Sequence, residues 1–390
     1  MKIAIITAYG MSTGGTEKFL QTVAANLPKN RYQVDYYYID NDSKRCSNVK
    51  KQQLIKAGVE LVPYQVEGYD IRYNYMRQVE STFFNVYHSG YDLIFSGVCG
   101  LPEEPFVYIR DTPIVQSIHY VSGVDNQYNI ARVLHISEFS KKLWVELGGD
   151  EERTEMISHP IYIPQYKYVD IRKQLGIGKE CFVFGLHQRN NDDIFSDIPL
   201  SAYQKVESAD NAFIICGGSD KYRKQAEQLG LKNCYFIPAT DSPDMIYSFL
   251  KSINVYAHGR RDGELNSTAL AEAMYFGLPI ISHPSMEFNG HLEVIKENGF
   301  VANNVEEYAI YMKSLQEDEM LYKKCSVASK NMYHKKYDVK SQMKHIMDIM
   351  DNVINDPYPN HEKRVALDKV SQRRQRLSRL KMKIFLRLLA

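Results

Sequence analysis

The chain has 390 residues, of which 44% are hydrophobic and 24% charged, with a formal net charge of +1. This length predicts two sizeable domains and an extension, while the composition excludes a disordered chain, a collagen and a multi-span membrane protein. The six cysteines have no metal-ligand spacing and predict reduced thiols, and the apolar run that ends at Gly10 predicts a buried strand rather than a signal peptide. These features together predict a cytosolic protein.

Short apolar runs alternate with helical periodicity over the first 160 residues. They predict strands at 3–8, 34–39, 92–96, 106–109, 114–118 and 133–136. Helices are expected between several of these strands, and Ser137 is expected to cap the helix that follows the last one. Because such alternation is typical of parallel strands joined by crossover helices, we predict a Rossmann-like domain over residues 1–160.

The composition of the sequence changes at residues 158–179, which contain two prolines, several tyrosines and no long apolar run. A linker is predicted over 161–179. Alternation then resumes, with strands at 181–186, 212–216, 234–237, 253–257 and 279–282 and helices at about 195–207, 220–229, 243–251 and 267–276. We predict a second Rossmann-like domain over 180–338 and a closing helix over 339–356. Ligands of such sheets bind at the carboxyl ends of the strands.

The segment 254–282 contains the most informative pattern. Glu264 lies in a polar loop, and Glu272 follows eight positions later on a predicted helix. Three amides are expected at the amino terminus of this helix, those of Leu265, Asn266 and Ser267. Such a terminus attracts an anion, for example a diphosphate, so Glu272 could accept the hydroxyls of a ribose and Glu264 could meet the group beyond the phosphates. A loop acid and a surface ion pair explain the two carboxylates equally well from spacing alone.

This segment resembles the E-x7-E region of the retaining family-4 glycosyltransferases, including the small-residue helix and the Gly-Leu-Pro that closes it at 277–279. The resemblance extends over about residues 1–356. It implies an α/β protein with the GT-B fold, in which two Rossmann-like doubly wound domains face a central cleft and the first domain is on the acceptor side. It also implies that Glu264 lies at the transferred sugar and that Glu272 binds the nucleotide ribose.

Other positions match the same family. Gly14 and Gly15 resemble its turn beside the donor phosphates, and His119 resembles a histidine that reaches the donor sugar. Gly217 and Thr240 match positions near the nucleotide, with Thr240 at the base. Without the resemblance, a tight turn explains the glycine pair and a polar strand cap explains the histidine.

Arg189 follows a predicted strand, where a guanidinium is well suited to bidentate contact with a phosphate. The family pairs this arginine with a lysine about five positions later. This chain has Ile194 at that position, and Lys205 is too distant to replace the lysine. Half of the expected cation pair is therefore absent.

The resemblance implies transfer of a sugar from a UDP- or GDP-sugar to a glycan or lipid-linked acceptor, with retention of configuration. It implies no metal and no further cofactor, and we interpret Asp40-Asn41-Asp42 as an acidic turn rather than a metal-binding D-x-D motif. Two alternatives are kept. One is a nucleotide-sugar epimerase, and the other is a catalytically weak nucleotide-sugar-binding subunit, which the missing lysine favours.

The last part of the chain, residues 357–390, is predicted to be a basic tail. Residues 361–390 carry a net charge of +8, so the first 360 residues carry −7. An apolar stripe follows Arg373 and consists of Leu377, Leu380, Ile384 and Leu388. A basic amphipathic helix of this kind is typical of binding to an anionic membrane surface, and it predicts peripheral attachment at the cytoplasmic face. An oligomerisation or partner-binding helix is the alternative, and no motif indicates nucleic acid.

Overall fold

The computed structural model describes residues 1–12, 14–41, 46–72, 75–358 and 361–373. The chain divides into two compact units. The first is formed by Met1–Pro160 together with Lys340–Ala390, and the second by Ile161–Val339. Each unit contains a parallel β-sheet with helices in its connections, so the predicted α/β class is confirmed.

The first unit is built on a seven-stranded parallel sheet. Its strands and helices up to residue 156 are β1 (Lys2–Gly10), α1 (Gly15–Asn26), β2 (Gln33–Ile39), α2 (Asn48–Lys56), β3 (Glu60–Tyr64), β4 (Gly68–Arg72), β5 (Tyr75–Val79), α3 (Phe83–Val86), β6 (Leu93–Val98), β7 (Ile114–Ile118), β8 (Ile130–His135), α4 (Glu138–Glu146) and β9 (Thr154–Met156). The strand order is β3-β2-β1-β6-β7-β8-β9, and β4 and β5 form a separate antiparallel hairpin. Ser137 caps α4 as predicted, since its hydroxyl accepts a hydrogen bond from the amide of Ser140 at 3.1 Å.

The predicted strand at 106–109 is wrong. Phe106–Tyr108 form a short 3₁₀ turn instead. The run is apolar because Phe106 and Ile109 fill the core of the first unit, where both are almost fully buried. Pro105 comes directly before the turn and has no N–H to donate to a neighbouring strand.

The second unit is built on a six-stranded parallel sheet in the order β12-β11-β10-β13-β15-β17, with β14 and β16 paired separately. Its elements are α5 (Ile171–Gln174), β10 (Phe182–Gln188), α6 (Ile198–Gln204), β11 (Asn211–Gly217), α7 (Asp220–Leu229), β12 (Cys234–Ile237), α8 (Pro243–Ser252), β13 (Val255–Ala257), β14 (Gly263–Glu264), α9 (Thr268–Tyr275), β15 (Ile280–Ser282), β16 (Phe288–Asn289), β17 (Gly299–Val301), α10 (Val305–Glu317) and α11 (Glu319–Lys336). Apolar side chains pack on both faces of this sheet, as expected for buried parallel strands.

Residues 161–179, where the sequence predicts a linker, lie against the second unit. The amide of Val169 donates to the Ser248 hydroxyl at 2.8 Å. The Arg172 guanidinium donates to the Ser252 carbonyl at 2.7 Å and to the Asn254 side chain at 2.7 Å. This segment is therefore fastened to α8 and to the start of β13.

The chain returns to the first unit through α12 (Val339–Asn355), where the Tyr32 hydroxyl donates to Asp351 at 2.9 Å. Residues 361–373 are helical and also pack on the first unit. Arg364 and Asp368 are 3% and 7% exposed, and Asp368 forms an ion pair with Arg110 at 2.7 Å. The beginning of the predicted tail is therefore docked, whereas its apolar stripe lies outside the described residues. No helix in the described part of the chain is long and apolar enough to cross a membrane.

Candidate functional site

Three loops meet at the carboxyl edge of the second sheet. Gln188 ends β10 and pairs in register with Gly217, which ends β11. The amide of Gly218 donates to the Gln188 carbonyl at 2.8 Å. The Gln188 side-chain amide donates to the carbonyl of Gly259, in the loop after β13. The loops that carry Arg189, Gly217 and Glu264 are thus hydrogen bonded to one another.

The glycine turn after β11 requires its residue type. Gly217 and Gly218 have φ values of +73° and +77°, which are unfavourable for residues with a Cβ. A Cβ at Gly217 would also collide with the Gln188 carbonyl oxygen and lie 3.4 Å from Cα of Ala239. The segment with Thr240 therefore lies directly beside this turn. The Thr240 hydroxyl accepts from the amide of Ser242 at 3.1 Å, just before α8 begins.

Arg189 is exposed and directly follows β10, and it forms no ion pair with a carboxylate in the described part of the chain. Ile194, at the position of the missing lysine, is only 2% exposed. Its carbonyl accepts a hydrogen bond from the amide of Arg261 at 3.2 Å. The position that would carry the second cation is thus part of the apolar interior of the second unit.

Helix α9 begins at Thr268, with Ser267 as its N-cap. The Ser267 hydroxyl accepts from the amide of Leu270 at 3.3 Å. The predicted anion-binding amides of Leu265, Asn266 and Ser267 therefore precede the first turn. The first amides of a helix have no carbonyl partner within it. In α9 the Ser267 cap satisfies the amide of Leu270, so the amides of Thr268 and Ala269 are the ones left to bind an anion.

Glu272 lies on α9 and is only 4% exposed. The Tyr247 hydroxyl of α8 donates to its Oε1 at 3.4 Å, and Nε2 of His187 in β10 lies 3.6 Å from its Oε2. His187 precedes Arg189 by two residues. The Glu272 carboxylate is thus held at the same strand end as Arg189, between two neighbouring elements of the second unit.

Glu264 is held by two basic side chains of its own loop. His258 Nε2 lies 3.2 Å from Glu264 Oε2, and Arg260 Nη1 donates to Oε1 at 3.0 Å. The other edge of the Arg260 guanidinium donates to Asp262, with Nε–Oδ1 at 2.7 Å and Nη2–Oδ2 at 2.9 Å. One arginine therefore links the two carboxylates in a fixed arrangement.

These contacts determine the charge of Glu264. Burial alone would raise its pKa, but the hydrogen bond with His258 and the positive charge of Arg260 outweigh burial and lower the pKa to about 2. Glu264 is therefore an ionised hydrogen-bond acceptor across the physiological pH range. A carboxylate in this state cannot donate a proton to a substrate.

A histidine cluster extends behind Glu264. His258 Nδ1 lies 2.8 Å from the Ser282 hydroxyl, and its ring centroid is 5.0 Å from that of His291. His291 is fully buried, and burial lowers its pKa to about 4, so its ring is neutral. No sequence motif pointed to His258, His291 or Arg260 as neighbours of Glu264. The only available signal was that His258 and Arg260 precede Glu264 by six and four positions in one loop.

In the first unit, the remaining predicted residues lie at the carboxyl edge of its sheet. Gly14 is the N-cap of α1 and Gly15 its first residue, and both are exposed. His119 directly follows β7, and its Nδ1 lies 3.2 Å from Nε2 of His159. Burial, followed by the effect of His159, holds the pKa of His119 well below its usual value. His159 is 40 positions away in the sequence, and no motif pointed to it.

No group of His, Cys, Asp or Glu within the described ranges has the arrangement of a metal site. Asp40 of the D-x-D triplet lies just after β2 and forms an ion pair with Lys51 at 2.8 Å. Asp42 lies outside the described residues.

Part of the chain matches a known protein family, and solved structures share its fold. Residues 170–333 match the family model described as glycosyl transferases group 1. No curated protein matches the chain. Among solved structures, Anabaena Alr3699/HepE in complex with UDP-glucose is 18% identical, with a TM-score of 0.69, and the match covers 90% of this chain and 100% of that one.

Two further solved structures are similar over almost their whole length. A glycosyltransferase from Rickettsia africae ESF-5 is 13% identical, with a TM-score of 0.69 and coverage of 91% and 99%. The sucrose-phosphate synthase from Thermosynechococcus elongatus is 14% identical, with a TM-score of 0.67 and the same coverage. These likenesses confirm the predicted GT-B fold. The family match confirms the resemblance to glycosyltransferases at the level of group 1 for residues 170–333.

Proposed function

We propose that the protein transfers a sugar from a nucleoside-diphosphate sugar to a glycan or lipid-linked acceptor, with retention of anomeric configuration. One observation carries the proposal. Arg189, Gly217, Thr240, Glu264 and Glu272 come from four different loops and a helix, yet they lie at one edge of a single parallel sheet. This edge is where sheets of this kind bind nucleotides.

Each group has a distinct task in the proposed reaction. Arg189 and the first-turn amides of α9 hold the diphosphate and stabilise it as it leaves. Glu272 accepts the ribose hydroxyls. Glu264, ionised and acceptor-only, receives hydroxyl hydrogen bonds from the donor sugar. His119 is proposed as a further catalytic group, as the family resemblance implies. The departing phosphate takes the proton of the incoming acceptor hydroxyl on the same face of the sugar, which accounts for retention.

The proposed donor carries UDP or GDP, and the HepE complexes with UDP and with UDP-glucose favour UDP. In this proposal the protein itself supplies the positive charge for the diphosphate, so no metal ion is assigned a step. The first test is a thermal-shift panel of UDP-, GDP- and ADP-sugars, since a ligand that binds the folded state raises its melting temperature.

Carboxylate variants give a sharper test. Glu272→Ala should weaken nucleotide affinity about 10-fold or more, and Glu264→Ala should chiefly lower turnover, because hydrogen bonds to a charged group contribute about 1.5–3 kcal/mol. Glu297→Ala is the matched control, since Glu297 is an exposed carboxylate of the same unit. Wild-type affinity and turnover in both site variants would contradict the assignment.

Two alternatives make different predictions in the same assays. An epimerase converts the donor without any acceptor, so product analysis with the donor alone identifies it. A catalytically weak binding subunit binds the donor in calorimetry but neither hydrolyses nor transfers the sugar. The buried Ile194 in place of a lysine supports this second alternative.

We also propose that residues 361–390 attach the protein peripherally to an anionic membrane at the cytoplasmic face, where a lipid-linked acceptor would be available. The charge beyond the docked helix supports this. Residues 374–390 contain six Lys or Arg and no Asp or Glu, and each Lys or Arg near an anionic surface contributes about 1 kcal/mol. The test is co-sedimentation with vesicles that contain or lack phosphatidylserine. A chain truncated after residue 373 keeps the docked helix and removes the stripe, and it should no longer bind. Equal binding of both chains would rule out the anchor and favour oligomerisation.

A further inference from the structure

Arg260 forms hydrogen bonds through its guanidinium with two carboxylates of its own loop. Its guanidinium has five N–H donors, and three described bonds use its three nitrogens, two to Asp262 and one to Glu264. Its side chain is only 18% exposed. Because Asp262 holds two of the nitrogens, the direction of the third, toward Glu264, is fixed.

The backbone around Arg260 is also fixed on both sides. The Ser285 hydroxyl donates to the carbonyl of Arg260 at 2.7 Å. At the next residue, the amide of Arg261 donates to Ile194 at 3.2 Å and its carbonyl accepts from Met286 at 3.0 Å. The loop between β13 and β14 therefore cannot shift without breaking bonds to two neighbouring loops.

We propose that Arg260 is a positioning residue for Glu264, which holds the Glu264 carboxylate as an oriented acceptor for hydroxyls of the donor sugar. This inference rests on the proposed function. A carboxylate offers about four lone-pair directions, and here Arg260 occupies one on Oε1 and His258 one on Oε2. The remaining directions are thereby fixed in space before the sugar arrives. Such preorganisation lowers the barrier because no reorientation is needed in the transition state.

Several other groups also interact with Glu264, and the Arg260 variants leave these interactions in place. They are His258, His291, Ser267, Tyr256 and Tyr337. The pKa of Glu264, about 2, supports the role because Arg260 is one of the groups that lower it. Removing an opposite charge at hydrogen-bond distance raises the pKa of a carboxyl by about 1–3 units.

The chain supplies its own control for this charge. Arg261 is the next residue on the same loop and is exposed, and its Nε contacts the sulfur of Met286 at 3.4 Å. Arg260→Met and Arg261→Met therefore remove the same charge from adjacent positions, one bound to Glu264 and one not. Arg260→Lys keeps the charge but cannot bind Asp262 and Glu264 with the same geometry.

The experiment compares wild type with these three variants. Calorimetry measures the affinity for UDP and GDP, which lack the sugar, and release of nucleotide from UDP-glucose and GDP-glucose gives kcat and KM between pH 4 and 8. We expect Arg260→Met to keep nucleotide affinity within about twofold and to lose about tenfold or more in kcat, with partial recovery in Arg260→Lys. Its kcat should also fall below about pH 5, where wild type stays constant.

Each outcome has one meaning. If Arg260→Met has the same kcat and pH profile as the control Arg261→Met, the inference is overturned and the proposed function still stands. Loss of nucleotide affinity along with kcat in Arg260→Met also overturns it, because Arg260 would then serve the nucleotide or the fold. A wild type that binds neither nucleotide nor nucleotide sugar overturns the proposed function, and the inference with it.

Discussion

Replacing Glu264 by Gln keeps the size of the side chain and removes its charge, so it isolates the electrostatic part of the site. In the wild type the carboxylate accepts from Arg260 and is bonded to His258, while only 18% of its side chain is exposed. Glutamine has a single carbonyl oxygen, so it cannot accept from both Arg260 and His258, and it loses the charge of the carboxylate. The second unit should therefore lose stability as well as turnover.

The pKa of Glu264 gives the magnitude. A decrease from 4.5 in the unfolded chain to about 2 in the folded chain corresponds to about 3 kcal/mol of stability at pH 7. Because the folded pKa is the lower one, this stabilisation is present above about pH 5 and is lost as the pH falls toward 2. The difference in stability between wild type and Glu264→Gln should therefore be roughly halved at pH 3 relative to pH 7.

Urea unfolding at several pH values tests this, with two optical signals that separate the units. Trp144 is the only tryptophan and is buried in the first unit, so its fluorescence reports that unit, while circular dichroism reports both. Glu264→Gln should shift the circular dichroism transition and leave the fluorescence midpoint nearly unchanged if the units unfold separately. A stability loss that is the same at pH 7 and pH 3 would refute the electrostatic account.

Four further predictions concern other parts of the molecule. Glu103→Gln should stabilise the first unit, because Glu103 is 1% exposed, neither carboxyl oxygen has a partner among the described residues, and burial raises its pKa well above the usual value. Between about pH 4.5 and the raised pKa of the folded carboxyl, the folded chain keeps this proton while the unfolded chain releases it. The gain should grow over that range by at most about 1.4 kcal/mol per pH unit, as urea unfolding can measure. His159→Phe should keep the ring packing but lower kcat, since it removes the hydrogen bond to His119; unchanged kcat would make His159 structural. Asp368→Ala should lower the stability reported by Trp144 fluorescence by about 1–3 kcal/mol, because it removes the ion pair with Arg110 and the acceptor of the Tyr128 amide. Arg189→Lys should weaken diphosphate binding in calorimetry, because a point charge does not reproduce the guanidinium fork, and normal affinity would move the role elsewhere.

Most of the fold could be predicted because its strands are apolar runs that alternate with segments of helical periodicity. The strand at 114–118 and the helix at 220–229 have the predicted bounds, and the closing helix ends one residue before its predicted end. The elements that were missed have weak local signals. Strand β3 contains Pro63 and lies at the edge of the sheet, and α2 buries only Leu54. Neither shows the periodicity on which the prediction depends.

The candidate site was only partly predictable. The two glutamates and Arg189 lie near recognisable motifs, so their positions could be proposed from the sequence. Their partners could not, because His187 and Tyr247 reach Glu272 from other elements, 85 and 25 positions away. The start of α9 was placed too early because the cap at Ser267 determines which amides stay unbonded.

The isoleucine that stands in place of the family's lysine, Ile194, is part of the packed interior of the second unit. Ile194 closes a short 3₁₀ turn, is 2% exposed and binds the loop of Arg261 through its carbonyl. Restoring a lysine there would bury an ammonium group without a partner, at a cost of several kcal/mol. In the proposed function, the diphosphate end of the second unit therefore relies on Arg189 and the first-turn amides of α9. Catalysis would then depend more strongly on how exactly the sugar is held at Glu264, which is why the pairing of Glu264 with Arg260 matters for this chain.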